Sequence, residues 1–252
     1  MPGFEQKIET ILEDECRVAG LSAVLEHVAP KDENLRKTLL GIYDSLAYIR
    51  QKYFLNPEVK EDGMLILTNL TLPEPEVQNP MIEITGIYGL EPKRITGVYT
   101  FHDDSGKKKL EELIYDNGTI IVDAQTGGIQ LYAGYLFIGM VPAAIAKDRG
   151  VNFSWKELGI NEVERKKLGG PTYKGLGMRH LSALSASGLD PNLYAFVQSR
   201  EAYGTITLFH DYEILFSTID NEINSKYRNI YDEAKKKTED SCREGLAKIS
   251  NK

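Results

Sequence analysis

Apolar positions recur at helical spacing through the first fifty residues of the chain. Phe4, Ile8, Ile11 and Leu12, then Leu21, Val24, Leu25 and Val28, follow one stripe. Gly20 falls between the two groups at the position where a helix breaks most readily, so the pattern predicts two short helices. After a polar link, residues 35–54 continue the stripe through Leu39, Ile42, Tyr43, Leu46, Ile49 and Tyr53, the pattern of an amphipathic helix. That stripe is read as completing the core, with a docking surface for another subunit as the alternative.

Beyond Gly63 the pattern changes to β-branched and aromatic runs, and strands are predicted over residues 64–67, 81–88 and 94–101. Leu72-Pro73-Glu74-Pro75-Glu76 reads as a surface excursion, because proline cannot donate to a ladder. Residues 107–114 make a short charged helix, and 119–123 and 129–138 two strands of a hairpin around Gly127-Gly128. The longest apolar run, 134–145, contains Gly139 and Pro142 and reads as a buried strand leaving the core through a bend. Residues 147–173 are polar and predict a helix and loop anchored by Trp155 and Leu158. The small-residue stretch 182–187 predicts a tightly packed helix, and 193–197 and 205–209 buried strands. A turn at His210-Asp211-Tyr212 follows, then a long polar helix over 218–249 with Ile219, Ile223, Tyr227, Ile230 and Ala234 on one face. The sum is an α/β fold around a mixed β-sheet: an N-terminal helical region over 1–54, the α/β domain over 55–216 and a C-terminal helix over 217–252.

Composition narrows the function. A net charge of −7, from 37 acidic and 30 basic residues, argues against a nucleic-acid polymer as partner, which needs an exposed basic surface. No apolar stretch approaches the roughly 20 residues that cross a bilayer, and the acidic start is not a signal peptide, so a cytoplasmic protein without membrane attachment is expected. Cys16 and Cys242, the two cysteines, stand far apart in charged helix-like stretches and read as free thiols. His27, His102 and His210 lack metal-ligand spacing, and His102 beside Asp103 and Asp104 reads as part of a charged turn.

The candidate chemistry lies in Gly175-Leu176-Gly177-Met178-Arg179-His180-Leu181-Ser182-Ala183 and in Arg200-Glu201-Ala202-Tyr203-Gly204-Thr205-Ile206-Thr207. With a helix starting here, Gly177 and Met178 lie at its N-terminus, where free N–H groups and the helix dipole attract an anion. Arg179 offers a fork of donors to phosphate oxygens, and His180 serves as a donor or, when neutral, as a metal ligand. Each residue also has a plain structural reading: Arg179 as a cap or ion-pair partner, His180 as a hydrogen-bonded core residue, Glu201 as a solvated loop acid.

Taken in order, Asn117-Gly118-Thr119-Ile120-Ile121, Ala133-Gly134-Tyr135-Leu136, Gly177-Met178-Arg179-His180 and Glu201 with Gly204-Thr205-Ile206-Thr207 resemble the diadenylate cyclase family over about residues 98–215. Arg179-His180-Leu181 is similar to archaeal-type members. The resemblance implies a cytoplasmic nucleotidyltransferase that condenses two ATP into cyclic di-AMP and pyrophosphate with Mg²⁺ or Mn²⁺, two domains facing each other in a homo-oligomer of even order. It implies Asp116, Asn117, Gly118, Arg179 and His180 as the catalytic set. Thr119, Tyr135, Leu136, Gly177, Met178, Arg179, Gly204 and Thr205 would bind substrate, with Tyr135 and Leu136 lining the adenine pocket. Glu201, His180 and Asp116 would hold the metal. Asn117 stands where the family has aspartate, Met178 where it has threonine, Leu181 where it has a second arginine and Ala202 where it has a second glutamate. Asparagine cannot supply a carboxylate, and Asp116 can if the loop is shifted by one residue. A catalytically degenerate domain that binds ATP or cyclic di-AMP as a sensor or scaffold is the rival reading.

Overall fold

Helix α1 (Phe4–Val28) runs unbroken through Gly20, against the predicted break. The glycine is there for packing: a Cβ at Gly20 would meet the Tyr231 ring carbons Cδ2 and Cε2 closer than real Cβ atoms approach. Sequence periodicity cannot register that constraint, because the partner lies at the other end of the chain. The computed structural model describes residues 4–54, 63–68, 82–86, 93–95, 97–114, 119–138, 178–190, 192–199, 204–211, 213–219 and 223–250.

Helix α2 (Glu33–Ile49) starts at Asp32, whose carboxylate accepts the Leu35 N–H at 2.9 Å, and closes in a π-helical turn over Arg50–Phe54. Its stripe of Leu35, Leu39, Ile42, Tyr43, Leu46 and Ile49 is buried in the core, the first of the two roles its pattern allows. In chain order there follow β1 (Met64–Thr68), β2 (Ile82–Gly86), β3 (Lys93–Arg94), α3 (Asp104–Leu113), β4 (Thr119–Val122) and β5 (Ile129–Ile138). Then come α4 (Met178–Leu189), β6 (Tyr194–Ser199), β7 (Thr205–His210), β8 (Glu213–Ser217) and α5 (Ser225–Ser250). The excursion expected at residues 72–76 and the helix and loop expected at 147–173 lie outside the described residues, as does the end of the 134–145 run beyond Ile138.

The described strands form one mixed sheet in the order β2-β5-β4-β1-β6-β7-β8, with β3 also paired to β5. Among them only the β1–β4 pair is parallel; β6 runs antiparallel to β1 and to β7, and β4 antiparallel to β5. The fold is α/β with flanking helices. On one face α1, α2, α3 and α5 enclose a core that includes Leu25, Leu39, Leu46, Ile66, Phe196, Leu208, Phe216 and Tyr231. On the other, α4 packs Ala183, Leu184 and Ala186 against Leu65, Leu67, Ala195, Val197 and Phe209. Strand β1 is therefore buried along its length, with no polar alternation.

Two predicted elements are shorter than expected. The strand expected over 94–101 shrinks to Lys93–Arg94, because Gly97 adopts φ +139° and turns Val98 out to solvent; beyond it the chain returns to the β4–β5 hairpin, where Ile129 N–H donates to Tyr99 O and Thr100 bridges Gly128. The last helix begins at Ser225, not 218, since Thr218 N–H donates to Ile206 O and Asn224 N–H to Ile214 O, extending the sheet edge. One end of the sheet is held by polar bonds. Gln125 Nε2 donates to Asp32 at 2.9 Å, and the Thr38 hydroxyl donates to Ala124 O at 2.8 Å, so Thr38 Oγ1 accepts from His102 Nε2. Asp103 caps α3 through the Ser105 N–H, so His102 lies in the turn expected before the helix, while Asp104 is already the first helical residue. No helix of the described residues is long and apolar enough to cross a membrane.

The close α1–α5 approach sets the sign of one substitution. Alanine for glycine inside a free helix stabilises by about 1 kcal/mol, whereas overpacking against a buried ring costs about 1–3 kcal/mol. Gly20→Ala is expected to lower the thermal midpoint, measured by circular dichroism. A midpoint equal to or above that of the parent would mean that α5 yields freely.

Candidate functional site

The small residues predicted to make a tight helix do so: α4 begins at Met178 and places Arg179 and His180 in its first turn. Ala183, Ala186, Ser187 and Gly188 are all buried, and their small side chains let the helix axis approach the sheet closely. Its C-terminal end is pinned, with Asp211 N–H donating to Ser187 O at 3.1 Å and Leu193 N–H to Asp190 O at 3.0 Å. The helix then leads straight into β6, so α4 runs back over that strand, touching β1, β5, β6 and β7. Its N-terminus is consequently directed toward the end of the sheet where β6 stops and β4 and β7 begin.

That end carries the other described candidates. Thr119 opens β4 in register with Leu65 on one side and Gly134 on the other. Tyr135 and Leu136 follow Gly134 in β5, with Thr85 and Ile84 of β2 as register partners. Thr205 opens β7 opposite Ser199, and Gly204, at φ +72°, donates its N–H to Ser199 O at 2.8 Å. Only glycine takes this left-handed conformation without strain, which is the physical reason for Gly204 in the motif. Asp116, Asn117, Gly118, Gly177 and Glu201 lie outside the described residues.

The register defines a row across the sheet: Gly134, Thr119, Leu65, Val197 and Thr207. Leu65 and Val197 belong to the cluster under α4, so this row faces that helix. Thr119 and Thr207 stand three strand spacings apart, about 14 Å. Thr119 and Gly134 are direct neighbours, as are Gly204, Thr205 and Ser199; the two groups are separated by β1. Thr207 belongs to the motif but not to the substrate-binding set that the resemblance implies. Its Oγ1 is buried with no hydrogen-bond partner among the described residues, and the period-two alternation from Thr205 was the signal that puts both on the α4 face.

Arg179 is half-buried, while His180 is 7% exposed and meets the Phe209 ring edge-on, centroids 6.0 Å apart. Burial, and then the neighbouring Arg179 charge, push the His180 imidazole down to about 4. It is therefore neutral at physiological pH. Positive charge in this turn comes from Arg179 and the helix N-terminus, and His180 can offer a neutral nitrogen to a cation. Among the described residues no group of three or more His, Cys, Asp and Glu side chains converges on a cation position. Comparison with protein-family models and with curated protein sequences gives no match.

The buried imidazole also makes stability pH-dependent. In metal-free buffer the unfolded histidine binds its proton near 6.5 and the folded one near 4, so the unfolded chain holds the extra proton between these values. Stability contributed here is complete above 6.5 and falls as pH drops toward 4, by about 3 kcal/mol in all. His180→Gln is expected to remove this part of the slope, read as the thermal midpoint against pH. Parallel curves for the variant and the parent would show that His180 titrates normally in the folded protein.

Proposed function

We propose that the chain is a metal-dependent diadenylate cyclase, joining two ATP into cyclic di-AMP with release of two pyrophosphates. The observation that supports this best is the placement of Arg179 and His180 in the first turn of α4, directed toward the strand ends that bear Thr119, Gly204 and Thr205. In this reading, Arg179 and the free N–H groups beside Gly177 and Met178 hold the ATP phosphates, since a guanidinium fork and a helix N-terminus both bind oxyanions. Tyr135 and Leu136 line the adenine pocket, and Thr119, Gly204 and Thr205 complete the walls. Asp116, Asn117 and Gly118 stand at the attacking 3′-hydroxyl.

The chemistry is an in-line displacement. The 3′-hydroxyl oxygen of one ATP forms a bond to the α-phosphorus of the other as the bond to the bridging oxygen breaks, and pyrophosphate departs. The hydroxyl proton passes to the Asp116 carboxylate, the acid adjacent to Asn117. Glu201, His180 and Asp116 would hold Mg²⁺ or Mn²⁺, which would supply cationic charge against the phosphates; a neutral imidazole and two carboxylates are chemically suited to it. One domain holding one ATP cannot close the ring, so two copies meet face to face in a homo-oligomer of even order. Asn117 in the family's aspartate position favours a second reading, a degenerate domain that binds ATP or cyclic di-AMP as a sensor or scaffold.

Purified protein with ATP and Mn²⁺ is expected to yield cyclic di-AMP, resolved by chromatography, at a specific activity that rises with protein concentration. Arg179→Ala should weaken ATP handling by about 1.5–3 kcal/mol without unfolding the chain, checked by titration calorimetry and turnover. Unchanged affinity and turnover in that variant would take Arg179 out of the site.

The acid at the hydroxyl gives a separate expectation. Asp116→Asn should abolish cyclisation, and Asn117→Asp should keep or raise it. Full activity in Asp116→Asn would show that this carboxylate is dispensable, while a silent parent awakened by Asn117→Asp would establish the sensor reading.

A further inference from the structure

Helices α1 and α5 lie antiparallel along each other. The His27 and Tyr227 rings meet edge-on with centroids 6.2 Å apart, Gly20 lies against Tyr231, and Cys242 Sγ donates to Glu15 Oε2 at 3.6 Å. Moving backward along α1 through these three contacts moves forward along α5, and the last of them brings Cys242 to the residue adjoining Cys16. The two cysteines, read from the sequence as unrelated because they lie near opposite ends of the chain, are thus neighbours across one helix interface. Both thiols are free, Cys16 buried at 4% exposure and Cys242 half-buried. Burial raises the Cys16 thiol, with the facing Cys242 as the next cause. Desolvation, followed by the Glu15 hydrogen bond, raises that of Cys242.

We infer that Cys16 and Cys242 are a redox site, forming a reversible intramolecular disulfide that ties α1 to α5 when the surroundings become oxidising. A low-molecular-weight disulfide such as oxidised glutathione supplies the oxidant. Cys242, the more accessible thiol, gives up its proton and attacks one glutathione sulfur. The glutathione S–S bond breaks, one glutathione thiolate leaves, and a mixed disulfide remains on Cys242. The Cys16 thiolate then attacks the Cys242 sulfur and expels the second glutathione. Two protein thiols have lost two electrons, and their two protons end on the two reduced glutathiones. The link spans almost the whole chain, the case in which a cross-link restricts the unfolded ensemble most.

The test uses the full chain at dilute concentration, incubated with oxidised glutathione and read by thiol titration, non-reducing electrophoresis and peptide mass mapping. Expected are loss of both titratable thiols, a monomeric product containing a linked Cys16–Cys242 peptide, and a thermal midpoint raised by about 5–10 °C. Dithiothreitol should reverse all three. Cys242→Ser, at a position outside the core, should fold as the parent does and show no rise. Glutathione retained on Cys242, a Cys242–Cys242 linked dimer, or two thiols that stay titratable would each overturn the inference. The outcome is independent of whether the protein makes cyclic di-AMP.

Discussion

The constraint on which the rest depends is that the central strands must be covered on both faces. Met64 to Thr68 are all buried, with Ile66 turned into one core and Leu65 and Leu67 into the other. Such a strand cannot rest against water on either side. One face is covered by long side chains from α1, α2, α3 and α5; the other is met by α4, which approaches through Ala183, Ala186, Ser187 and Gly188. The small residues are what bring the helix close, and closeness is what carries its first turn toward the strand ends. Packing at Ala186 and the bond from Asp211 to Ser187 therefore help to position Arg179, two turns away.

The sheet also has unequal ends. At one, the α1–α2 link, the β4–β5 turn and the start of α3 are tied through Asp32, Thr38, His102, Ala124 and Gln125. At the other, β4 and β7 begin and β6 stops, with Gly204 closing the β6–β7 turn. A fold that fixes one end by polar bonds can carry variable chemistry at the opposite end, where loops leave a rigid sheet. The second end is also anchored to the helical face beneath it: Gln198 Nε2 donates to Leu46 O, joining the end of β6 to the last turns of α2.

Elements governed by local pattern were legible in the sequence. The buried stripe of α2, the β4–β5 hairpin at Gly127-Gly128, the buried strands β6 and β7 and the start of α4 at the Arg-His pair all follow from periodicity and turn chemistry. What was illegible depends on partners far away. Gly20 reads as a helix breaker until Tyr231 is seen against it, Cys16 and Cys242 read as unrelated until α1 and α5 are antiparallel, and Thr218 reads as helical until its N–H is found on Ile206. Nor does any local signal place β1 between β4 and β6, strands from widely separated parts of the chain. At the site, the sequence supplied Arg179 and His180 as a pair but not their different electrostatics, because burial against Phe209 is a tertiary fact.

That difference bears on how such a site can work. Two cations side by side would hold phosphate strongly but would also repel a divalent metal from the same turn. With His180 neutral, the turn presents one fixed guanidinium, a set of helix N–H dipoles and one uncharged nitrogen, a combination that can neutralise phosphate oxygens while leaving room for a cation. Among the described residues, burial against Phe209 does this through the desolvation of the imidazole, with the neighbouring Arg179 charge as the next cause. The hydrophobic packing that seats α4 on the sheet thus also sets the charge of the residue that the motif singles out, so the core beneath the helix and the charge state of its first turn are one arrangement.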